Sequence, residues 1–197
     1  MTARWAVDVV APQRDLEITW EPISLLFKNQ PDEDSPFYPL NTFTNGLLRV
    51  MQSVDAEEGN EAARQLYWQY GAVLHHDRAD GTVDLTEVAG GDAARFLEAA
   101  GLPAAHNDAF GDDSWDATIR ERMQRGLDLT GTDVGTPIIA FDTKTGRRGV
   151  FGPVISRQPT GADGAEVWDA MVKLATTEGF WELKRTRTED PQFPARP

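Results

Sequence analysis

Apolar positions change their spacing several times along this chain, and each change predicts an element. Trp5 with Val9, and Ala6 with Val10, recur at helical spacing over residues 2–10, which predicts a short helix that stops before Pro12. Leu16, Ile18 and Trp20 then alternate with Glu17, Thr19 and Glu21, the period of two of a strand with one wetter face. Pro22 closes that strand, and its polar row suits a sheet edge. Residues 28–39 carry three prolines and three carboxylates and predict a loop.

Only helical patterns follow over residues 41–109. Leu47, Leu48, Met51 and Val54 form one stripe; Leu66, Tyr67, Tyr70, Val73 and Leu74 form a second, with Asn60 as its N-cap. Residues 92–100 form a third, capped by Asp92 and stopped by Gly101 ahead of Pro103. A longer helix runs over 114–129, with Asp112 and Asp113 at its positive end and Gly131 past its last turn. The texture then changes. Pro137-Ile-Ile-Ala-Phe141, a polar turn over 142–148 and Gly149-Val150-Phe151 predict a β-hairpin, followed by a helix over 164–177 that buries Val167, Trp168, Met171, Val172 and Leu174. The tail, with Lys184, Arg185, Arg187, Pro191 and Pro194, reads as a strapped-down or frayed extension. This order predicts an α/β layer fold in which residues 1–40 and 112–197 make one domain and 41–111 an inserted helical subdomain.

Composition narrows the function classes. At 197 residues, 40% hydrophobic and 26% charged, the chain affords a buried core and reads as soluble and globular. A formal charge of −13 repels phosphate backbones, so nucleic acid is a poor partner. No apolar run approaches the ~20 residues of a membrane span, and the N-terminus lacks the blocks of a signal peptide, which reads as cytoplasmic. Cysteine is absent, which removes disulfides, thiolate ligands and cysteine nucleophiles from this chain. His75, His76 and His106 lack metal-site spacing, so no metal is expected.

The sharpest local signal is Val134-Gly135-Thr136-Pro137-Ile138-Ile139, a proline opening an apolar strand after a glycine loop. Local sequence leaves the Thr136–Pro137 bond open between cis and trans, with the cis base rate of ~5–6% weighing toward trans. His75-His76 reads as a solvated pair at a helix end, since adjacent helical residues diverge by ~100° and at most one faces a site. His106 has no serine motif to complete a triad, and the runs Asp32-Glu33-Asp34 and Glu57-Glu58 read as solvated surface. Core packing accounts for most of the six tryptophans.

Four C-terminal blocks together resemble the mycothiol-dependent nitroreductases of actinobacteria, a branch of the DsbA-like thioredoxin-fold oxidoreductases. They are Asp133-Val-Gly-Thr-Pro137, Phe151-Gly-Pro-Val-Ile-Ser156, Val167-Trp-Asp-Ala170 and Phe180-Trp-Glu-Leu-Lys-Arg-Thr-Arg187. Thr2-Ala-Arg-Trp5 and Trp20-Glu-Pro-Ile-Ser-Leu25 extend the likeness to the start, and it is loosest over residues 28–109. The resemblance implies a DsbA-type sheet with an inserted helical lid and mycothiol as co-substrate rather than a bound cofactor. It also implies a cis Pro137 shaping a groove for small-molecule thiol and substrate. Trp5 would lie in the helix that carries the attacking thiolate, and Gly135 and the Thr136 backbone would contact the bound thiol.

The chain departs from that family at the decisive place, because the Cys-x-x-Cys motif and its strand belong upstream of the segment like Thr2–Trp5. The expectation is that Met1 is internal to a longer natural chain, or that the protein is a redox-dead descendant; a serine-based thiol-dependent isomerase and a noncatalytic binding module are the rival readings. In the implied sheet the absent strand lies between residues 16–21 and 137–141. Each buried backbone group it leaves unpaired costs about 1–3 kcal/mol against a total stability of ~5–15 kcal/mol. Either the two flanking strands shift and pair directly, or another copy contributes a strand and the protein is a homo-oligomer.

Overall fold

The computed structural model describes residues 1–77, 88 and 90–193. The parts of the helical prediction at residues 78–87 and 89, and Pro194 of the tail, lie outside the described residues. The fold is mixed α/β, mostly helical, with one two-stranded sheet. Two compact units emerge. One combines residues 1–18 with the described residues from Arg125 onward; the other is residues 19–124.

In the first unit, α1 (Thr2–Trp5), a π-helical stretch (Ala6–Val10) and α2 (Ala11–Arg14) run on as one helix, four residues beyond its predicted end. Pro12 would clash with the carbonyl of residue 8 in a regular α-helix. The widened π turn, in which the Ala11 N–H donates to the Ala6 carbonyl, removes that conflict. After α2 come, in this unit, β1 (Ile138–Thr143), β2 (Gly146–Phe151) and α8 (Gly161–Ala175). β1 and β2 pair antiparallel with Ile139 opposite Val150 and Phe141 opposite Arg148.

Alternation sets what each face of β1 covers. Ile139 and Phe141 pack on a cluster of Trp5, Ala6, Val10 and Trp168, in which the Trp5 and Trp168 rings meet edge-on with centroids 5.7 Å apart. Ile138, on the other face, lies against Gly126 of α7 (Asp116–Thr130). α8 approaches the first helix so closely that a β-carbon on Gly164 would sit 2.5 Å from Val9 Cγ1 and 2.8 Å from the Pro159 carbonyl oxygen. Outside the core, Arg14 grips Asp169 at 2.7 Å; their hydrogen bond raises the guanidinium pKa and lowers that of the carboxyl.

The second unit is helical: α3 (Leu25–Asn29), α4 (Tyr38–Glu58), α5 (Asn60–Gly71), a π turn (Ala72–Asp77), α6 (Ala94–Ala100), 3₁₀ turns at Ala104–Gly111 and Asp113–Trp115, and the first part of α7. Its core takes Phe43, Leu47, Val50, Met51 and Val54 from α4, at the spacing of one helix face, against Leu66 and Tyr70 of α5 and Phe96 and Leu97 of α6. Burial lifts the Tyr70 phenol pKa well above its ordinary value, and the hydroxyl donates to the Leu47 carbonyl at 3.1 Å. Ser24 caps α3, a short helix where the hydrophobic pattern had suggested nothing.

Residues 16–21 are a correction: they have no regular secondary structure and do not pair with β1. Side chains take the place of a ladder. Asn60, expected to cap α5, instead accepts the Trp20 N–H at 2.7 Å and donates to the Trp20 carbonyl at 3.0 Å; Gly59 is the N-cap. Arg122 donates to the same carbonyl at 2.9 Å, to Glu21 at 2.5 Å, to Gln52 at 2.7 Å and to Asp55. Burial opposes the Arg122 charge, and the hydrogen bonds it donates to Glu21 and Asp55 override it, holding its pKa above the ordinary value.

A second polar knot joins α4 to α7. Arg49 makes a bidentate bond to Asp116 at 2.7 and 2.8 Å, Asn45 donates to the same carboxylate at 3.3 Å, and Ser24 Oγ donates to Asn45 Oδ1 at 2.7 Å. Burial pushes the Asp116 carboxyl up, but the Arg49 bond and charge bring it below its usual range. A carboxyl depressed on folding stabilises above its unfolded pKa of ~3.9 and loses that stabilisation as pH falls through the folded value. Asp116→Asn is therefore expected to cost about 1–3 kcal/mol at pH 7 in urea unfolding, with the gap to the parent narrowing below about pH 4. Arg122→Ala, which strands Asp55 without its cation, is expected to cost about 3–5 kcal/mol in the same measurement.

Candidate functional site

The open end of the hairpin gathers what chemistry the first unit offers. Pro137 immediately precedes β1 and Gly152 immediately follows β2, and the Gly152 N–H donates to the Pro137 carbonyl at 2.8 Å, one step beyond the Ile138–Phe151 pair. The Thr136–Pro137 and Gly152–Pro153 bonds are both cis. Gly152 has φ +98°, where an L side chain is strained, and it is buried against the turn it makes. The next carbonyl, that of Pro153, accepts a 2.7 Å hydrogen bond from Thr2 Oγ1, at the first residue of α1. The start of the first helix thus lies against the same end of the hairpin as the two prolines.

Gly135 and Thr136 are exposed there and Pro137 is half-buried, so the backbone around this bend is reachable from solvent. Phe151 and Val154, 43% and 57% exposed, provide an apolar border, and a β-carbon on Gly135 would sit 3.5 Å from the Phe151 ring. Trp5 lies apart from this opening in one respect: it is 0% exposed and belongs to the core beneath. Its Nε1, together with Arg4 Nη1 and Gln158 Nε2, is buried without a hydrogen-bond acceptor. Arg4 otherwise bonds Asp8 at 2.6 Å.

Sequence reasoning singled out Gly135, Thr136 and Pro137 but gave no role to Thr2, Gly152 or Pro153. A Gly-Pro pair directly after a strand was the available signal, since it marks a sharp bend. Elsewhere, in the second unit, His106 is in a 3₁₀ turn and 4% exposed, with Nδ1 2.8 Å from Ser53 Oγ and Nε2 3.8 Å from Glu58. His76 is buried, which corrects the reading of a solvated pair. Among the described residues no three His, Asp or Glu side chains gather as a metal site, and no helix is long and apolar enough to cross a membrane.

The fold and this bend define a mixed α/β protein with a helix start set against a proline-lined hairpin end. Residues 1–185 match the family profile described as Rv2466c-like, mycothiol-dependent nitroreductase Rv2466c. The chain belongs to that family, whose members are oxidoreductases that use the small-molecule thiol mycothiol.

Two substitutions test the bend itself. Thr2→Val leaves the partly buried Pro153 carbonyl without its Thr2 donor and is expected to cost about 1 kcal/mol of stability. Gly152→Ala forces a side chain at positive φ and is expected to cost about 1 kcal/mol or more, both read from urea unfolding midpoints.

Proposed function

We propose that this chain is a thioredoxin-like homologue of the DsbA type that binds a low-molecular-weight thiol, mycothiol, and a small substrate at the bend formed by Gly135, Thr136 and Pro137. The observation that carries this reading is the convergence of Thr2, the Gly152–Pro153 turn and Thr136–Pro137 at one end of the hairpin. The positive pole of a helix start favours a thiolate or other anion. The exposed backbone at Gly135 and Thr136 offers polar groups to the peptide-like parts of the thiol, and Phe151 and Val154 offer an apolar wall to the substrate. Trp5 supports the helix from below, and Pro137 in its cis form shapes the groove.

The chain as given contains no cysteine and supplies no thiolate of its own. Its residues can bind and orient, but the covalent step of thiol–disulfide exchange needs a sulfur nucleophile they do not carry. That absence favours a second reading, a noncatalytic binding module that keeps only the groove. The codons in frame before that of Met1 separate the alternatives: a Cys-x-x-Cys pair supports the oxidoreductase and an N-terminal extension, a serine the thiol-dependent isomerase, and neither the binding module. The acidic charge fits a cytoplasmic protein without nucleic-acid partners.

Two measurements follow. The purified 197-residue chain is expected to show no mycothiol-dependent reduction of a disulfide or nitro substrate above a boiled control; measurable turnover overturns the binding-only role of these residues. Titration calorimetry with mycothiol is expected to register binding that Gly135→Phe weakens about tenfold or more, ~1.4 kcal/mol, by filling the bend. Unchanged affinity would place the thiol elsewhere.

A further inference from the structure

We propose that residues 181–188 are a processing loop for a protease that cuts after Lys or Arg, and that the cut unlatches the strap 189–193 from Ser156 and Arg157. Nothing in this inference depends on the thiol-binding reading.

The loop meets the structural demand first. Every residue from Trp181 to Thr188 is exposed, and the segment has no regular secondary structure. Trp181 is 89% and Leu183 79% exposed, so even its apolar side chains are uncovered. Among the described residues no hydrogen bond or ion pair holds any of residues 181–188. A protease must draw several residues of its substrate into an extended line, and a segment without internal bonds takes that shape without unfolding anything else.

Lys184, Arg185 and Arg187 then meet the chemical one. A protease with a carboxylate at the base of its specificity pocket pairs that group with one long cationic side chain. The bonds after these three residues lead into Arg185, Thr186 and Thr188, and none leads into proline. Arg185–Thr186 lies near the middle of the loop, away from both anchors. In the protease's site water adds across that peptide bond, leaving a carboxylate on Arg185 and an ammonium on Thr186. Arg147 and Arg148 are exposed too, but they are paired with Asp142 and Phe141 in the hairpin, so a protease reaches them only when the hairpin opens.

Both ends of the loop are held. The Phe180 N–H donates to Thr177 O at 3.3 Å, just past α8. Beyond the loop, Ser156 Oγ donates to Glu189 O at 3.1 Å, the Gln192 N–H donates to Ser156 O at 2.7 Å, Arg157 bonds the Glu189 carboxylate at 2.5 Å, and Phe193 is half-buried. The Arg157 and Glu189 side chains are 65% and 40% exposed, so water screens their attraction and the ion pair holds weakly. Contacts this few keep the strap in place because the loop holds it at high local concentration, an advantage that ends when the loop is cut. The strap then leaves, freeing the Ser156 hydroxyl and carbonyl on the stretch that follows the Gly152–Pro153 turn.

Brief digestion of the folded 197-residue chain with substoichiometric trypsin, read by mass spectrometry, is expected to cut after Lys184, Arg185 or Arg187 before it cuts after Arg147 or Arg148. The triple variant Lys184→Gln, Arg185→Gln, Arg187→Gln is expected to lose that cut with its far-ultraviolet circular dichroism unchanged. Gel filtration of the cut protein is expected to part the C-terminal peptide from the body. Bonds after Lys184, Arg185 and Arg187 that survive as long as those after Arg147 and Arg148 overturn the processing loop. A peptide that stays on the body through gel filtration overturns the unlatching. Neither readout involves mycothiol, so this proposal and the thiol-binding reading fail separately.

Discussion

A two-stranded hairpin cannot hold itself together in water, and that constraint organises the first unit. β1 and β2 bury too little alone, so helices must cover both faces: the first helix and α8 on the side of Ile139 and Phe141, the end of α7 on the side of Ile138. The close approach of Gly164 to Val9 is what lets α8 lie near enough to the first helix to share the Trp5–Trp168 cluster. Tightening the hairpin end by the Gly152-to-Pro137 bond then brings the Pro153 carbonyl to Thr2. The candidate thiol site is therefore a by-product of how the sheet is covered.

The second unit solves a different problem. Its helices satisfy their own backbone, and the α4 stripe from Phe43 to Val54 supplies the core by periodicity alone. The difficulty lies at Trp20, whose backbone has no strand or helix to pair it. Asn60 and Arg122 provide side-chain partners instead, and because Arg122 is largely buried it needs Glu21, Asp55 and Gln52 around it. One unpaired peptide thus recruits a network of charges, the expected outcome where a buried backbone group cannot be left without a partner.

The bend at Gly135–Pro137 and Gly152–Pro153 leaves Gly135 and Thr136 open to solvent, in a chain that belongs to a mycothiol-dependent family.

Sequence determined the elements whose partners are local. The stripes of α4 and α5, the stop of α6 at Gly101 and the hairpin with its polar turn follow from spacing and turn chemistry within a few residues. The family, too, was legible in blocks such as Asp133–Pro137 and Val167–Ala170, which the profile over residues 1–185 joins into one match. Tertiary structure alone decided the rest. Alternation at Leu16, Ile18 and Trp20 gave the pattern of a strand, but a strand exists only when a neighbour supplies the ladder, and here Asn60 and Arg122 reached Trp20 first. The pairing of Thr2 with Pro153, 151 residues apart, and the burial of His106 against Ser53 depend on which surfaces meet, which no local spacing encodes.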